Sequence, residues 1–129
     1  MPSARENRRS VAVLTVDDQA AFRHAVREVV EATEGFELVG EARSCEEALV
    51  LAREHHPDLV LVDIHMPGVD GLETTRRLSA AHPAATCVLV STDDLEQSCD
   101  ACGAAAFLPK RSFGRLALRR LWDEHGQTV

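Results

Sequence analysis

The segment Asp58–Gly71, DLVLVDIHMPGVDG, decides how this chain folds. Its first half, Asp58–Ile64, is a short run of branched apolar residues without polar alternation, the pattern of a strand covered on both faces. Its second half, Met66-Pro67-Gly68-Val69-Asp70-Gly71, is a dense cluster of turn formers. A strand buried on both faces needs helices above and below it, and the flanking sequence supplies them.

Upstream, Val11–Val16 is a second strand of the same kind, and Gln19–Thr33 carries Phe22, Val26, Val29 and Val30 at helical spacing, with Gly35 as terminator. Phe36–Ala42 reads as a short strand. Ser44 with Glu47 three residues on forms a capping box, and the helix it opens runs to about His55, before Pro57. Downstream lie a helix over Leu72–Ala81, a strand at Thr86–Val90, and a weaker helix over about Asp94–Cys102 that ends at Gly103. A fifth strand, Ala105–Pro109, precedes a last helix capped by Ser112 with Phe113, Leu116, Ala117 and Leu121 on one face. This is an α/β chain of the (βα)5 type. Right-handed crossovers then give a five-stranded parallel sheet with helices on both faces. Pro109 has no N–H to donate and belongs on an edge strand, which the fifth strand is in the flavodoxin-like order 2-1-3-4-5.

Composition sets the outer bounds. The 129 residues, 45% hydrophobic and 27% charged, suit one globular domain. The expected organisation is a disordered lead-in over 1–10, a folded domain over 11–125 and a tail at 126–129. A net charge of −7 argues against direct nucleic-acid binding, which rests on Lys/Arg neutralisation of phosphates. No apolar stretch is long enough to span a bilayer, and Arg5, Arg8 and Arg9 are not followed by a signal-peptide core. A cytoplasmic location is the expectation, with Cys45, Cys87, Cys99 and Cys102 as free thiols. The Cys99-x-x-Cys102 pair lacks a second ligand pair and reads as structural. None of His24, His55, His56, His65, His82 and His125 falls in a zinc-binding spacing.

Chemistry gathers at the strand ends. Val11–Val16 ends in Asp17-Asp18, Leu59–Val62 in Asp63, Val88–Val90 in Ser91, and Phe107–Pro109 in Lys110. The carboxyl ends of parallel strands converge on one sheet edge, where ligands bind. Three carboxylates meeting there repel one another and call for a cation. Oxygen ligands alone suit Mg²⁺, which keeps several waters, and the hydroxyl and ammonium suit a phosphoryl group.

These residues, in this order, resemble a response-regulator receiver domain of two-component signalling from about Val11 to Trp122. The segments Phe36–Ala42 and Asp63–Gly71 resemble most the receivers of LuxR/NarL-type regulators. The resemblance implies that Asp63 is the phospho-accepting aspartate, fed by a sensor histidine kinase. It implies that Asp18 and Asp63 ligate Mg²⁺ directly, that the His65 backbone carbonyl adds an oxygen, and that Asp17 acts mainly through water. Ser91 matches the hydroxyl that binds a phosphoryl oxygen, Lys110 the lysine that pairs with the phosphate, and Phe107 the aromatic that turns inward with Ser91. His65, Thr92 and Asp93 are expected to modulate phosphate lifetime. The chain departs from the family where Arg111 follows Lys110 in place of a proline; a trans peptide or a strained loop is expected there.

Other classes weigh less. A cofactor-binding flavodoxin would need a Gly/Ser/Thr-rich loop after the first strand, where Asp17-Asp18-Gln19 stands. An aspartate-nucleophile phosphatase would need an acid near Asp63 that Ile64 and His65 do not supply, so the chain reads as a switch and not an enzyme. A stand-alone receiver, the receiver portion of a transcription regulator, and a pseudo-receiver that works by protein contact alone all stay open. Arg115, Arg119, Arg120 and an exposed Trp122 on the last helix, opposite Asp93, Asp94 and Glu96, suggest a homodimer through the fourth helix, fifth strand and last helix.

Overall fold

A computed structural model describes residues 10–92 and 102–126. Strands β1 (Val11–Val16), β2 (Phe36–Ala42), β3 (Leu59–Asp63) and β4 (Thr86–Ser91) are separated by helices α1 (Ala20–Glu31), α2 (Cys45–His55) and α3 (Gly71–Ala81). Strand β5 (Ala104–Pro109) and helix α4 (Arg115–His125) complete the described fold. All neighbouring strands pair in parallel, in the order β2-β1-β3-β4-β5, so this is the flavodoxin-like fold. The helix expected over 94–102 lies outside the described residues apart from Cys102, which stands in a turn.

The three central strands are buried from end to end, as their unbroken apolar runs require. Successive side chains serve opposite layers. Leu14, Val16, Val60, Val62 and Leu89 meet Ala48 and Ala52 of α2 and Leu78 of α3. On the other face Val13, Leu59, Leu61 and Val88 meet Val26 and Val30 of α1 and Leu118 and Leu121 of α4. Burying each such side chain contributes roughly 1.5–3 kcal/mol, so the strand ends stand on a rigid base. β2 and β5 flank the sheet and are only partly covered, and Pro109 ends edge strand β5 opposite Ser91.

Local signals set the helix ends. Ser44 Oγ accepts the Glu47 N–H at 3.2 Å, while the Glu47 carboxylate accepts the Arg43 N–H at 2.7 Å. α1 ends at Glu31, earlier than expected, and Gly35 at φ +89° turns the chain into β2. Ser112 does not cap the last helix. It lies in a 3₁₀ turn, Lys110–Ser112, and α4 starts after Gly114, because Phe113 stays extended and packs edge-to-face on Phe22.

Two other expectations need correction. Cys45 and Cys87 are free and buried, but Cys102 is disulfide-bonded. Trp122 is half-buried, packed against the layer of Leu118 and Leu121. Arg119 is engaged within the chain, donating to the Glu34 carbonyl at 3.0 Å and lying over the Phe36 ring. Leu116 is instead the apolar residue that α4 exposes, at 84%.

Candidate functional site

The parallel register delivers the strand-end residues to one place. Asp63 closes β3 and is 3% exposed, Asp17 follows β1 and is fully buried, and Asp18 is exposed beside them. One carboxylate oxygen from each lies within 4.8 Å of the others. Lys110, just past β5, reaches in with its ammonium 2.6 Å from Asp17 Oδ2 and 3.6 Å from Asp63 Oδ2. Its side chain is only 9% exposed, and the ammonium also sits 4.7 Å from the centre of the Phe22 ring.

Among the described residues, Lys110 is the cation paired with these three carboxylates, so the cluster is short of positive charge. Burial pushes the Asp63 carboxyl from 3.8 up to about 6, and the Asp17 charge adds to the push; Lys110 and the His65 N–H oppose it, and Asp18 raises it further. Asp63 Oδ1 accepts the His65 N–H at 3.3 Å. Asp17 Oδ1 accepts the Gln19 N–H at 2.8 Å, which turns the chain into α1.

The turn after Asp63 is built around that residue. Asp70 caps α3, its carboxylate accepting the Glu73 N–H at 2.9 Å. Gly71 then donates to the Ile64 carbonyl at 2.8 Å. A Cβ on Gly71 would overlap the Asp63 carbonyl oxygen and the Ile64 Cα, so only glycine permits this approach. Gly68 is different: it faces open space, and it is the backbone at φ +77° that favours glycine there.

Ser91 is 1% exposed at the end of β4, opposite Pro109 and one residue past the pairing of Val90 with Asp63. Phe107 is half-buried against the layer that holds Leu89 and Val62. Thr92 and His65 are exposed beside Ser91 and Asp63 respectively. Asp93 lies outside the described residues. No peptide bond among the described residues is cis, so Lys110 and Arg111 are joined in trans.

The family described as the response regulator receiver domain matches residues 13–120. The chain belongs to the response-regulator receiver family. It is 39% identical over 103 residues to the response regulator GacA of Pseudomonas viridiflava, covering 78% of this chain and 48% of that protein. It is 36% identical over 121 residues to a protein-glutamate methylesterase/protein-glutamine glutaminase of Myxococcus xanthus, covering 92% of this chain and 35% of that one. The chain thus spans about half or less of these relatives. Among solved structures, the receiver domain of the response regulator NarL from Mycobacterium tuberculosis matches with a TM-score of 0.76 and 30% identity, over 88% of this chain and 94% of that one. CheY in a CheX–CheY–BeF3–Mg complex from Borrelia burgdorferi matches with a TM-score of 0.77 and 28% identity, over 88% of each. Among the described residues, no helix is long and apolar enough to cross a membrane.

Receiver domains bind Mg²⁺ at an acidic pocket, and the donor set here fits. It is all oxygen, it carries an excess of negative charge, and the strained member is the buried Asp63. Three supporting residues escaped the sequence reading. Phe22 was read only as part of an apolar stripe, yet its ring lies under Lys110. Gly71 was read as a turn former, yet its role is to let α3 approach Asp63. Arg23 drew no reading at all, although it donates to the Asp17 carbonyl; a basic residue in the first turn of α1, where the helix dipole disfavours one, was the available signal.

Proposed function

We propose that this receiver takes a phosphoryl group from a sensor histidine kinase onto Asp63. The observation that carries the reading is the position of Lys110, whose ammonium touches both buried carboxylates at the sheet edge. A carboxylate oxygen of Asp63 attacks phosphorus in line; the P–N bond of the donor phosphohistidine breaks and an acyl phosphate forms. Lys110 holds a phosphoryl oxygen as a point charge, and Ser91 donates its hydroxyl to another. Phe107, one strand over, turns further inward as Ser91 moves.

Asp18, Asp63 and the His65 carbonyl would hold Mg²⁺, with Asp17 contributing through water. Bound there, the ion neutralises charge on the transferring group. The exposed His65, with Thr92 and Asp93, tunes how readily water reaches the acyl phosphate. The output is transcriptional, through an attached or partner domain, a reading supported by the similarity to GacA and NarL. A second copy docks on the face carrying Leu116, between the exposed Arg115 and Arg120. Sedimentation that stays monomeric with and without beryllofluoride would remove this last element.

The test of the chemistry is intact mass after incubation with Mg²⁺ and acetyl phosphate. One phosphoryl adduct is expected in the native protein and none in Asp63→Asn. No adduct together with no Mg²⁺ binding would mark a pseudo-receiver.

A further inference from the structure

We infer that Arg23 is a positioning residue for the metal site, clamping the peptide between Asp17 and Asp18. The inference rests on the assignment of the acidic cluster to Mg²⁺. The Arg23 side chain is 13% exposed, and its guanidinium donates from Nη1 to the Asp17 carbonyl oxygen at 2.8 Å. The Asp17 N–H donates in turn to the Ala42 carbonyl at 2.9 Å, at the end of β2. The main chain of Asp17 is therefore held on both sides, once by the sheet and once by Arg23. The second grip matters more for Asp18, because the Asp17 carbonyl belongs to the peptide plane that carries the Asp18 nitrogen. Fixing that plane fixes where the exposed Asp18 carboxylate stands relative to the buried pair.

Arg23 is itself held. Its Nε lies 3.8 Å from Glu41 Oε1, and Glu41 is 21% exposed at the end of β2. Arg27, one turn further along α1, grips the other oxygen of Glu41, with Nε at 2.8 Å and Nη2 at 2.7 Å. The chain of contacts runs from Arg27 through Glu41 and Arg23 to the Asp17–Asp18 peptide. Glu41 faces both guanidinium groups, so this chain of contacts keeps a net charge of +1, and Arg23 reaches the site through the Asp17 carbonyl and not through a carboxylate of the cluster. A planar guanidinium suits this work, since it reaches a carbonyl and a carboxylate in one fixed fork.

Groups that orient metal ligands typically change affinity by 10–100-fold when removed. Arg23→Gln is expected to raise the Mg²⁺ Kd roughly tenfold by calorimetry. It should also speed hydrogen exchange at the Asp18 and Gln19 amides of the metal-free protein, with the urea midpoint little changed. Arg23→Lys, which keeps the charge and one donor, should recover only part of the affinity. Glu41→Gln should weaken Mg²⁺ in the native background and add nothing in Arg23→Gln, because it acts through Arg23. An unchanged Kd in Arg23→Gln, or a full additional loss from Glu41→Gln in that background, overturns the clamp alone. Absence of Mg²⁺ binding in the native protein overturns the site assignment together with it.

Discussion

Lys110 Nζ lies 2.6 Å from Asp17 Oδ2, a contact between two groups almost closed to solvent. Removing one partner of such a pair leaves a buried charge uncompensated, which costs about 3–5 kcal/mol. Lys110→Ala should therefore lower the metal-free stability by roughly 3 kcal/mol. Mg²⁺ offers the carboxylates another cation, so the deficit should shrink when it is added. Urea titrations with and without Mg²⁺ check this, and a deficit that Mg²⁺ leaves untouched would show that Lys110 serves packing and not charge.

Asp63 gives the metal-free protein a pH dependence with a definite sign. Its carboxyl is raised from 3.8 to about 6 in the fold, so between these values the folded state binds more protons than the unfolded chain. Stability must then fall as pH rises from about 4 through about 6 and level off above, where Asp63 is charged in both states. A shift of this size corresponds to a cost on the order of 2–3 kcal/mol at neutral pH. Asp63→Asn should remove that slope and be more stable than the native protein at pH 7. Mg²⁺ affinity should weaken below about pH 6, where the proton competes for Asp63. Denaturation midpoints from pH 4 to 8 for both proteins decide the matter; parallel curves would contradict it.

Gly71 and Gly68 separate two reasons for glycine in one turn. Gly71→Ala drives a methyl into the Asp63 carbonyl and the Ile64 backbone, and overpacking of this kind costs about 1–3 kcal/mol. It should also weaken Mg²⁺ binding, because the residue that moves is Asp63 itself. Gly68→Ala meets no atom and bears only the strain of φ +77°, about 1 kcal/mol, with Mg²⁺ binding unchanged. Measuring Kd and thermal midpoint for both variants distinguishes the two effects.

The parts of this molecule legible in its sequence are those written as local patterns. Val11–Val16 and Leu59–Asp63 are apolar without interruption because both faces are covered, and Asp17, Asp63, Ser91 and Lys110 were readable as strand-end residues once the sheet was parallel. The missed features depend on pairs far apart in sequence. Phe22 meets Phe113 across the gap between α1 and the β5–α4 connection, and that contact displaces the start of α4 from Ser112 to Gly114. Trp122 looks like a surface residue by position, but the layer under Leu118 and Leu121 covers it. Arg23 belongs to a network completed by Glu41 of β2, a partnership no local pattern announces.

Phe22 gives the last expectation. Its ring receives the Lys110 ammonium at 4.7 Å and the edge of Phe113 at a centroid distance of 5.9 Å. The ring thus ties α1 to the segment that presents the lysine. Phe22→Ala loses a half-buried aromatic pair and a cation–π contact, together worth about 2 kcal/mol. It also frees Lys110 to leave the carboxylates. Phe22→Leu keeps apolar volume without the π face, so it should recover most of the stability but not the hold on the ammonium. Acetyl phosphate kinetics should then be slowed in both variants, while the urea midpoint falls mainly in Phe22→Ala. If Phe22→Leu phosphorylates at the native rate, the ring acts by packing alone, and Lys110 is placed by Asp17 and the 3₁₀ turn without it.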